Sequence, residues 1–128
     1  MKLLLDTHVL IWAINEPKLL SPRVQQLLLD EDNELHASVV SLWEIEMKVE
    51  AGKLTFPSRR GFLEENFRHL GVQNYLPLGL LHIHQLSKLP LIHRDPFDRI
   101  LLAQAAVEGW TLVSKDRTMA KYPQTVLW

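Results

Sequence analysis

The chain has 128 residues and a mass of 14.9 kDa, a size that fits one domain with a sizeable core. Hydrophobic residues make up 47% and charged residues 23%, which excludes the sparse, highly charged composition of a disordered chain. The absence of cysteine excludes disulfides, thiolate zinc sites and cysteine nucleophiles, and it is compatible with a reducing cytoplasm. We therefore expect a single domain over residues 1–128 in the cytoplasm.

The charge balance excludes a protein that grips nucleic acid through bulk positive charge. The net charge is −1 and the isoelectric point is near 6.6, whereas such domains usually lie well in the basic range. Residues 1–65 hold 11 acids and seven bases, but residues 66–128 hold four acids and seven bases. No apolar run approaches the roughly 20 residues of a membrane span, so we expect no membrane segment.

The hydrophobic pattern alternates strands with helices. Crossovers of this length between strands predict right-handed βαβ units and a parallel sheet with helices on both faces, the α/β class. In chain order the predicted elements are a strand at Leu3–Leu5, helices at Val9–Ile14 and Pro22–Leu29, a strand at Leu35–Val40, a helix at Ser41–Glu50, a loop at 53–61, a helix at Phe62–Leu70, a strand at Val72–Leu78, helices at Leu80–Leu86 and Pro96–Val107, a strand at Trp110–Val113, a turn or short helix at Lys115–Lys121, and an edge strand at Thr125–Trp128.

Four acids follow the predicted strands closely. Asp6 ends the first strand, Glu44 lies four residues after Val40, and Asp116 lies three residues after Val113. Asp98 belongs to the first turn of the helix that begins at Pro96. Because ligands of an open parallel sheet bind at the carboxyl ends of its strands, the topology can gather these four carboxylates at one edge.

Gathered carboxylates repel one another unless a cation lies among them. Hard oxygen ligands, without cysteine or a clear histidine pair, select Mg²⁺ or Mn²⁺ rather than zinc. Such a cluster is typical of phosphodiester hydrolysis by a water that the metal activates. Asp6, Asp98 and Asp116 are the candidate metal ligands, and Glu44 is a further ligand or orients the water.

Glu44 also has a purely structural interpretation. The segment from Ser41 to Glu44 fits the capping box S-x-x-E, in which the glutamate reaches back to the serine amide. Both interpretations of Glu44 remain open from the sequence alone.

The other acids differ in how easily they are explained without a metal. Asp95 suits the N-cap of a helix, and Asp98 can simply favour the helix dipole. Asp116 can be a turn residue. Asp6 is the hardest to explain away, because a carboxylate directly after a doubly buried strand is costly unless it is paired or bound to metal.

Four segments form a joint pattern that covers the chain from end to end: Leu3–His8, Ser38–Ile45, His93–Ala105 and Leu112–Asp116. Together they resemble the PIN-domain ribonucleases, and among them the VapC-like toxins of bacterial and archaeal toxin–antitoxin pairs. The resemblance implies a three-layer α/β/α fold around a parallel sheet of four or five strands. It also implies that Asp6, Glu44, Asp98 and Asp116 are the acidic site, with Thr7 and Ser114 as supporting hydroxyls.

The resemblance further implies a Mg²⁺-dependent endoribonuclease that leaves a 5′-phosphate. Its expected partners are an RNA substrate, a small antitoxin protein that keeps the toxin inactive, and a second copy of the chain in a homodimer. Arg99 and Lys115 are candidates for contacts with substrate phosphate, although solvated surface positions explain them equally well.

The aromatic residues and the remaining histidines receive structural interpretations. The four tryptophans are expected in the core or at an interface, and His82 and His84 point to different helix faces. His93 is the one histidine expected near the acidic edge, although a solvated loop position is the preferred interpretation. The exposed part of the surface around four aromatic residues is the candidate groove for the antitoxin: Trp12, Trp43, Phe62 and Phe67.

Two other functions fit the same placement of acids. A phosphoacceptor signalling domain also collects acids, a hydroxyl and a lysine at strand ends, but it needs paired acids after the first strand, where this chain has Asp6, Thr7 and His8. A binding module that uses the acidic edge of the sheet without catalysis is the second alternative.

Overall fold

The computed structural model describes residues 1–128, except for the side chain of Gln73. Its centre is a five-stranded sheet with the order β3-β2-β1-β4-β5, and all four pairings are parallel. The predicted α/β class and the parallel sheet of four or five strands are therefore confirmed. The strands are β1 (Lys2–Leu5), β2 (Glu34–Ser38), β3 (Val72–Leu76), β4 (Thr111–Val113) and β5 (Val126–Leu127).

Helices fill the crossovers between the strands. Short 3-10 turns at Pro17–Leu19 and Met119–Lys121 complete the connections. The helices are α1 (Thr7–Asn15), α2 (Pro22–Leu29), α3 (Val39–Glu50), α4 (Phe62–Leu70), α5 (Leu80–Leu86) and α6 (Pro96–Glu108).

The central strand β1 divides the core into two layers. Its side chains alternate across the sheet, so Leu3 and Leu5 pack on one face and Leu4 on the other, all fully buried. The first face is covered by residues of α1 to α4, including Phe67, and the second by α6, including Leu101. This is the three-layer arrangement that the sequence predicted.

The start of α3 differs from the prediction. The β-branched Val39 and Val40 were expected to close the second strand, but the strand ends at Ser38, whose hydroxyl accepts a hydrogen bond from the amide N–H of Val40 at 3.0 Å as the N-cap. Valines are tolerated in a first turn, since there is no preceding turn for their side chains to crowd. Ser41 therefore lies inside the helix, and Glu44 is its sixth residue.

The start of α6 is as predicted. Asp95 is the N-cap and accepts the amide N–H groups of Phe97 and Asp98 at 2.9 and 3.1 Å, with Pro96 at the first helical position. Gly109 ends the helix with a φ of 70°, a left-handed conformation that favours glycine. The predicted strand at 72–78 is shorter than expected, because β3 ends before Pro77, which has no N–H to donate.

None of the helices in the described part of the chain is long and apolar enough to cross a membrane.

Candidate active site

A crevice of about 600 Å³ opens at the carboxyl-terminal edge of the sheet. All four predicted acids line it, so the fold brings together side chains that are up to 110 positions apart in the sequence. The crevice is lined by Asp6, His8, Trp12, Glu44, Met47, Lys48, Ala51, Lys53, Asp95, Phe97, Asp98, Lys115 and Asp116.

Asp6 lines the crevice between the end of β1 and the start of α1. Its backbone N–H continues the sheet pairing by donating to Val113 O at 3.0 Å, and its carboxylate accepts the amide N–H of His8 at 3.4 Å as the N-cap of α1. The side chain is only 3% exposed. Burial raises the pKa of Asp6, although the hydroxyl of Ser114, which donates to Oδ2 at 2.5 Å, works in the opposite direction.

Asp98 lines the crevice from the first turn of α6. Its Oδ2 is 3.2 Å from Nε2 of His93, and the other ring nitrogen of His93 is 2.8 Å from the Tyr122 hydroxyl. Burial raises the pKa of Asp98 to about 7, and the charges of Asp95, Asp6 and Asp116 add to this rise, against the hydrogen bond from His93.

Asp116 reaches the crevice from the turn that follows β4. Its amide donates to the Ser114 hydroxyl at 3.1 Å, and its Oδ1 accepts the amide of Thr118 at 2.8 Å. The predicted turn role is therefore real, but the exposed carboxylate also faces its neighbours. Ligand atoms of His93, Asp98 and Asp116 lie within 4.8 Å of one another, close enough to share one cation.

Glu44 approaches the crevice from the second turn of α3. It is 8% exposed, and its Oε2 lies 3.3 Å from Nζ of Lys48, one turn later on the same helix. Nζ is also 3.4 Å from Nε2 of His8. The capping-box interpretation of Glu44 is wrong, because Ser38 caps the helix and Ser41 instead accepts a hydrogen bond from Thr7.

The donor set and its electrostatics fit a hard divalent cation. Carboxylate oxygens are the ligands that Mg²⁺ and Mn²⁺ prefer, and a nearby imidazole is compatible with Mn²⁺. Without a cation the pKa values of both Asp6 and Asp98 are raised, which means that the fold holds these groups where their charged forms are disfavoured. A bound cation reverses that cost.

The two predicted supporting hydroxyls are both buried beside the acids. Ser114 joins Asp6 to Asp116 through the two hydrogen bonds above. Thr7 is fully buried and donates to the Ser41 hydroxyl at 2.9 Å, so it ties α1 to α3 and fixes Asp6 relative to Glu44.

The two predicted phosphate contacts have different surroundings. Arg99 donates to the carbonyl oxygens of Leu86 and Pro90 and to the Tyr122 hydroxyl, at 3.3, 3.0 and 3.1 Å. Its guanidinium thus holds the loop between α5 and α6, and it is not among the described residues that line the crevice. Lys115 does line the crevice, with Nζ 5.6 Å from the centre of the Trp12 ring.

Three residues in or beside the crevice were not predicted as site residues: His8 and Lys48, which line it, and His93, which contacts Asp98. His93 was expected to be a solvated loop residue, yet the loop places it against Asp98. His8 and Lys48 carried a usable signal, since His8 comes two residues after Asp6 and Lys48 four residues after Glu44 on the same helix. His82 is buried and pairs with Glu108 at 3.1 Å, away from the acids.

The four aromatic residues of the predicted antitoxin groove do not form one surface. Phe67 is fully buried in the core, as expected for at least half of these aromatics, and therefore contributes nothing to a groove. Trp12 lines the acidic crevice, whereas Phe62 lines a separate cleft beside α3. Trp43 is 59% exposed and makes an edge contact with Phe97, with ring centres 5.1 Å apart.

Comparison with known proteins is consistent with this architecture. The PIN domain family matches residues 3–124. The chain is 32% identical to Ribonuclease VapC22 of Mycobacterium tuberculosis (strain ATCC 25618 / H37Rv) over 123 residues, which cover 93% of this chain and 90% of that protein. The α/β sandwich with an acidic edge is thus that of the PIN domains, and this chain belongs to the PIN-domain family.

Solved structures share the fold at lower identity. One is the crystal structure of VapBC2 from Rickettsia felis bound to a DNA fragment from their promoter, with a TM-score of 0.72, 18% identity, and coverage of 100% of this chain and 98% of that one. Another is DNA-bound VapBC from Salmonella typhimurium, with a TM-score of 0.70, 18% identity, and coverage of 100% and 97%. Both matches establish the fold across the whole chain.

Proposed function

We propose that this chain is a Mg²⁺-dependent endoribonuclease that serves as the toxin of a toxin–antitoxin pair, with the described 128 residues acting as one PIN domain. The observation that carries the proposal is the meeting of Asp6, Glu44, Asp98 and Asp116 in one crevice, with ligand atoms of Asp98, Asp116 and His93 within 4.8 Å. The similarity to Ribonuclease VapC22 supports RNA as the substrate.

The residues that would hold the cation are Asp98, Asp116 and Asp6, with Mn²⁺ as an accepted substitute. A divalent cation there supplies Lewis-acid activation of water and offsets the charge that develops on the phosphate. The hydrogen bonds of Ser114 fix the two aspartates that flank it, and His93 fixes the carboxylate of Asp98. Such fixed orientation removes motions that would otherwise have to be frozen in the transition state.

Glu44 is suited to orient the attacking water. Its Oε2 is engaged by Lys48, which leaves Oε1 to accept a hydrogen from a water in the crevice. Because Thr7 and Ser41 join α1 to α3 beside it, this carboxylate is fixed relative to Asp6. The water oxygen then attacks phosphorus, the 3′ oxygen of the preceding ribose leaves, and the product carries a 5′-phosphate.

The regulatory partner in this proposal is a small antitoxin. A cytoplasmic enzyme that cuts cellular RNA harms its host unless it is held inactive, and the structural neighbours are VapBC complexes. A cationic side chain of the partner, best an arginine that pairs with two carboxylates, fits the acidic crevice and competes with metal and substrate.

A homodimer is the second partnership. Residues 77–87 contain no Asp, Glu, Lys or Arg, and large apolar side chains on α5 and its flanks are exposed, with Leu80 and Leu91 at 69% and 71%. An uncharged apolar face meets its own copy across a two-fold axis without like-charge repulsion. We propose that the dimer interface lies on the exposed apolar residues of α5 and its flanks, here called the α5 face: Leu78, Leu80, Leu81, Ile83, Leu91 and Ile92.

The α5 face is tested by light scattering on Leu81→Glu. The variant should be monomeric at concentrations where the wild type is dimeric. Leu29→Glu is the matched control, since Leu29 is 81% exposed at the end of α2. A dimer that survives Leu81→Glu and Leu80→Glu together would exclude this face.

The nuclease proposal is tested by incubating purified protein with single-stranded RNA in Mg²⁺ and in EDTA. Cleavage should require the metal, should yield 5′-phosphate ends, and should be lost in Asp6→Asn. Asp32→Asn is the matched control, an exposed aspartate in the turn before β2. Folded wild-type protein that binds Mn²⁺ but never cleaves would favour a binding module, and transfer of phosphate to an aspartate from a small phosphodonor would favour a signalling domain.

A further inference from the structure

Lys48 is a lysine held inside an acidic crevice. Its Nζ lies 3.3 Å from Glu44 Oε2 and 3.4 Å from His8 Nε2, and the side chain is 27% exposed. Glu44 and Lys48 are four residues apart on α3 with the acid first, the orientation that favours such a pair. The ammonium is therefore tethered at two points and still reaches solvent in the crevice.

One of the three N–H donors of the Lys48 ammonium is free to bind a ligand. An ammonium has three N–H donors and no acceptor. Among the described residues, Glu44 and His8 are the two groups that Lys48 reaches. Since Lys48 lines the crevice, the third N–H is available to an acceptor that enters it, and a charged acceptor forms the strongest bond.

The tether also divides the acids into two groups. Asp98 and Asp116 converge with His93 as a set that fits a cation, whereas Glu44 already has the positive charge of Lys48 beside it. A second divalent cation bound at Glu44 would face that ammonium at close range, and like charges repel strongly where water is partly excluded. Next to the acids, the crevice thus has a position for a cation beside Asp98 and Asp116 and a second position, beside Glu44, that the ammonium of Lys48 already occupies.

We propose that Lys48 binds a non-bridging phosphate oxygen of the RNA backbone and supplies, on the Glu44 side of the crevice, the positive charge that a second divalent cation would otherwise provide. This inference rests on the proposed nuclease function. It makes the enzyme a one-cation nuclease in which the second positive charge is a fixed ammonium.

The tether distinguishes Lys48 from the other lysines of the crevice. Lys53 and Lys115 are exposed, so immobilising their side chains on a phosphate costs rotamer entropy, which for a lysine is as much as about 2 kcal/mol. Two contacts already hold Lys48, and less entropy remains to be lost when it binds. Its loss should therefore weaken RNA binding more than the loss of an exposed lysine.

The experiment measures RNA binding without metal and without cleavage. Fluorescence anisotropy of a labelled single-stranded RNA is recorded in EDTA over a range of KCl concentrations, in an Asp98→Asn background that prevents turnover and removes one repelling charge. Lys48→Met should weaken binding about 10-fold at low salt and reduce the slope of log K against log salt by about 0.7, the value for one phosphate contact on a single strand. Lys48→Arg, which keeps the charge, should retain most of the affinity.

Lys18→Met is the matched control, an exposed lysine in the 3-10 turn after α1 that should leave affinity and slope unchanged. Equal affinity and slope for Lys48→Met and Lys18→Met would overturn the inference, as would a complete lack of RNA binding at low salt. If Lys48→Met does not fold, Lys48→Gln is measured instead with the same criteria.

Metal stoichiometry gives an independent test. Calorimetric titration of the wild type with Mn²⁺ should give one ion per chain. Two ions per chain, with one lost in Glu44→Gln, would overturn the claim that Lys48 takes the second position. If wild-type protein does not cleave RNA in Mg²⁺, the nuclease proposal itself fails, and that outcome is distinct from cleavage that is unaffected by Lys48→Met.

Discussion

The two ends of α6 carry histidine–carboxylate pairs of almost equal length in very different surroundings. At its start, Asp98 Oδ2 lies 3.2 Å from His93 Nε2, and at its end, Glu108 Oε2 lies 3.1 Å from His82 Nε2. The pairs differ in which other groups surround them. The comparison shows what makes one of them part of a site.

The His82 pair is a structural connection. His82 is 5% exposed, and its Nδ1 accepts the amide N–H of Gly79 at 2.9 Å. Because Nδ1 accepts this hydrogen bond, the ring proton is on Nε2, and the Nε2–H group donates a hydrogen bond to Glu108. Each group thus has a partner, and the pair joins the start of α5 to the end of α6.

The His93 pair lies among further carboxylates. Burial together with Asp95, Asp6 and Asp116 raises the pKa of Asp98 to about 7, even though His93 donates to it. One imidazole therefore does not compensate for the local excess of negative charge. A histidine–carboxylate pair becomes a candidate cation site only where several chain segments bring additional acids to the same point.

The largest expected difference between the two ends of α6 is in RNA cleavage. Asp98→Asn should lower the rate at least about 100-fold, the upper range for groups that merely orient a ligand, because under the proposed function Asp98 is a charged ligand of the cation. Glu108→Gln keeps the hydrogen bond to His82 and should cleave at the wild-type rate. Equal losses in the two variants would contradict the distinction between the ends.

The histidines should separate activity from stability. His93→Ala should lower cleavage by about 10- to 100-fold, as expected for a residue that orients a metal ligand, with a small change in stability. His82→Ala leaves the Gly79 amide without its acceptor and should cost roughly 1–3 kcal/mol of unfolding free energy while cleavage persists. Urea denaturation and initial cleavage rates measure the two effects, and a reversed pattern would refute this assignment.

Because Asp98 is buried beside other acids, the unfolding free energy of the metal-free protein should depend on pH. The pKa of Asp98 is raised from 3.8 to about 7, so the native state keeps a proton that the unfolded chain releases. The stability that this group contributes is complete below about pH 4 and is lost as the pH rises to about 7. In EDTA, wild-type unfolding free energy should fall more steeply over this range than that of Asp98→Asn.

Added Mn²⁺ should oppose that loss, since an ion bound only by the native state stabilises it by about 2.7 kcal/mol at a concentration of 100 times its Kd. Thermal melts at pH 7 with and without Mn²⁺ check this effect. Asp32→Asn, which removes an exposed aspartate outside the crevice, should respond to Mn²⁺ as the wild type does. Identical melting temperatures for the wild type with and without millimolar Mn²⁺ would argue against a cation site.

The sequence was sufficient to predict which acids lie together at the carboxyl ends of the strands. An apolar strand that ends in Asp6 and a helix that starts at Asp95-Pro96 are local patterns, and the parallel topology then places Asp6, Asp98 and Asp116 at one edge. The prediction failed where local patterns compete. Ser38 and Ser41 both suit a helix N-cap, and only tertiary contact decides, since Ser41 is the one that Thr7 reaches.

The histidines show a second limit. Residues 90–95 show no hydrophobic periodicity from which the direction of a side chain could be predicted. The position of His93 depends instead on Tyr122, 29 residues away, whose hydroxyl forms a hydrogen bond with Nδ1 of His93. The position of Arg99 has the same cause, because Tyr122 and two carbonyl oxygens orient its guanidinium. Contacts between distant segments decided both cases.

The most direct test of the account is sequencing of RNA 5′ ends from cells that express the chain. Wild-type protein should generate new 5′-phosphate ends at defined sites and slow growth, and co-expression of the small reading frame next to its gene should suppress both. Asp6→Asn should abolish the new ends, whereas Glu108→Gln should reproduce them. New ends that persist in a folded Asp6→Asn protein, or their absence when folded wild-type protein accumulates, would contradict the assignment of the acidic crevice as a ribonuclease site.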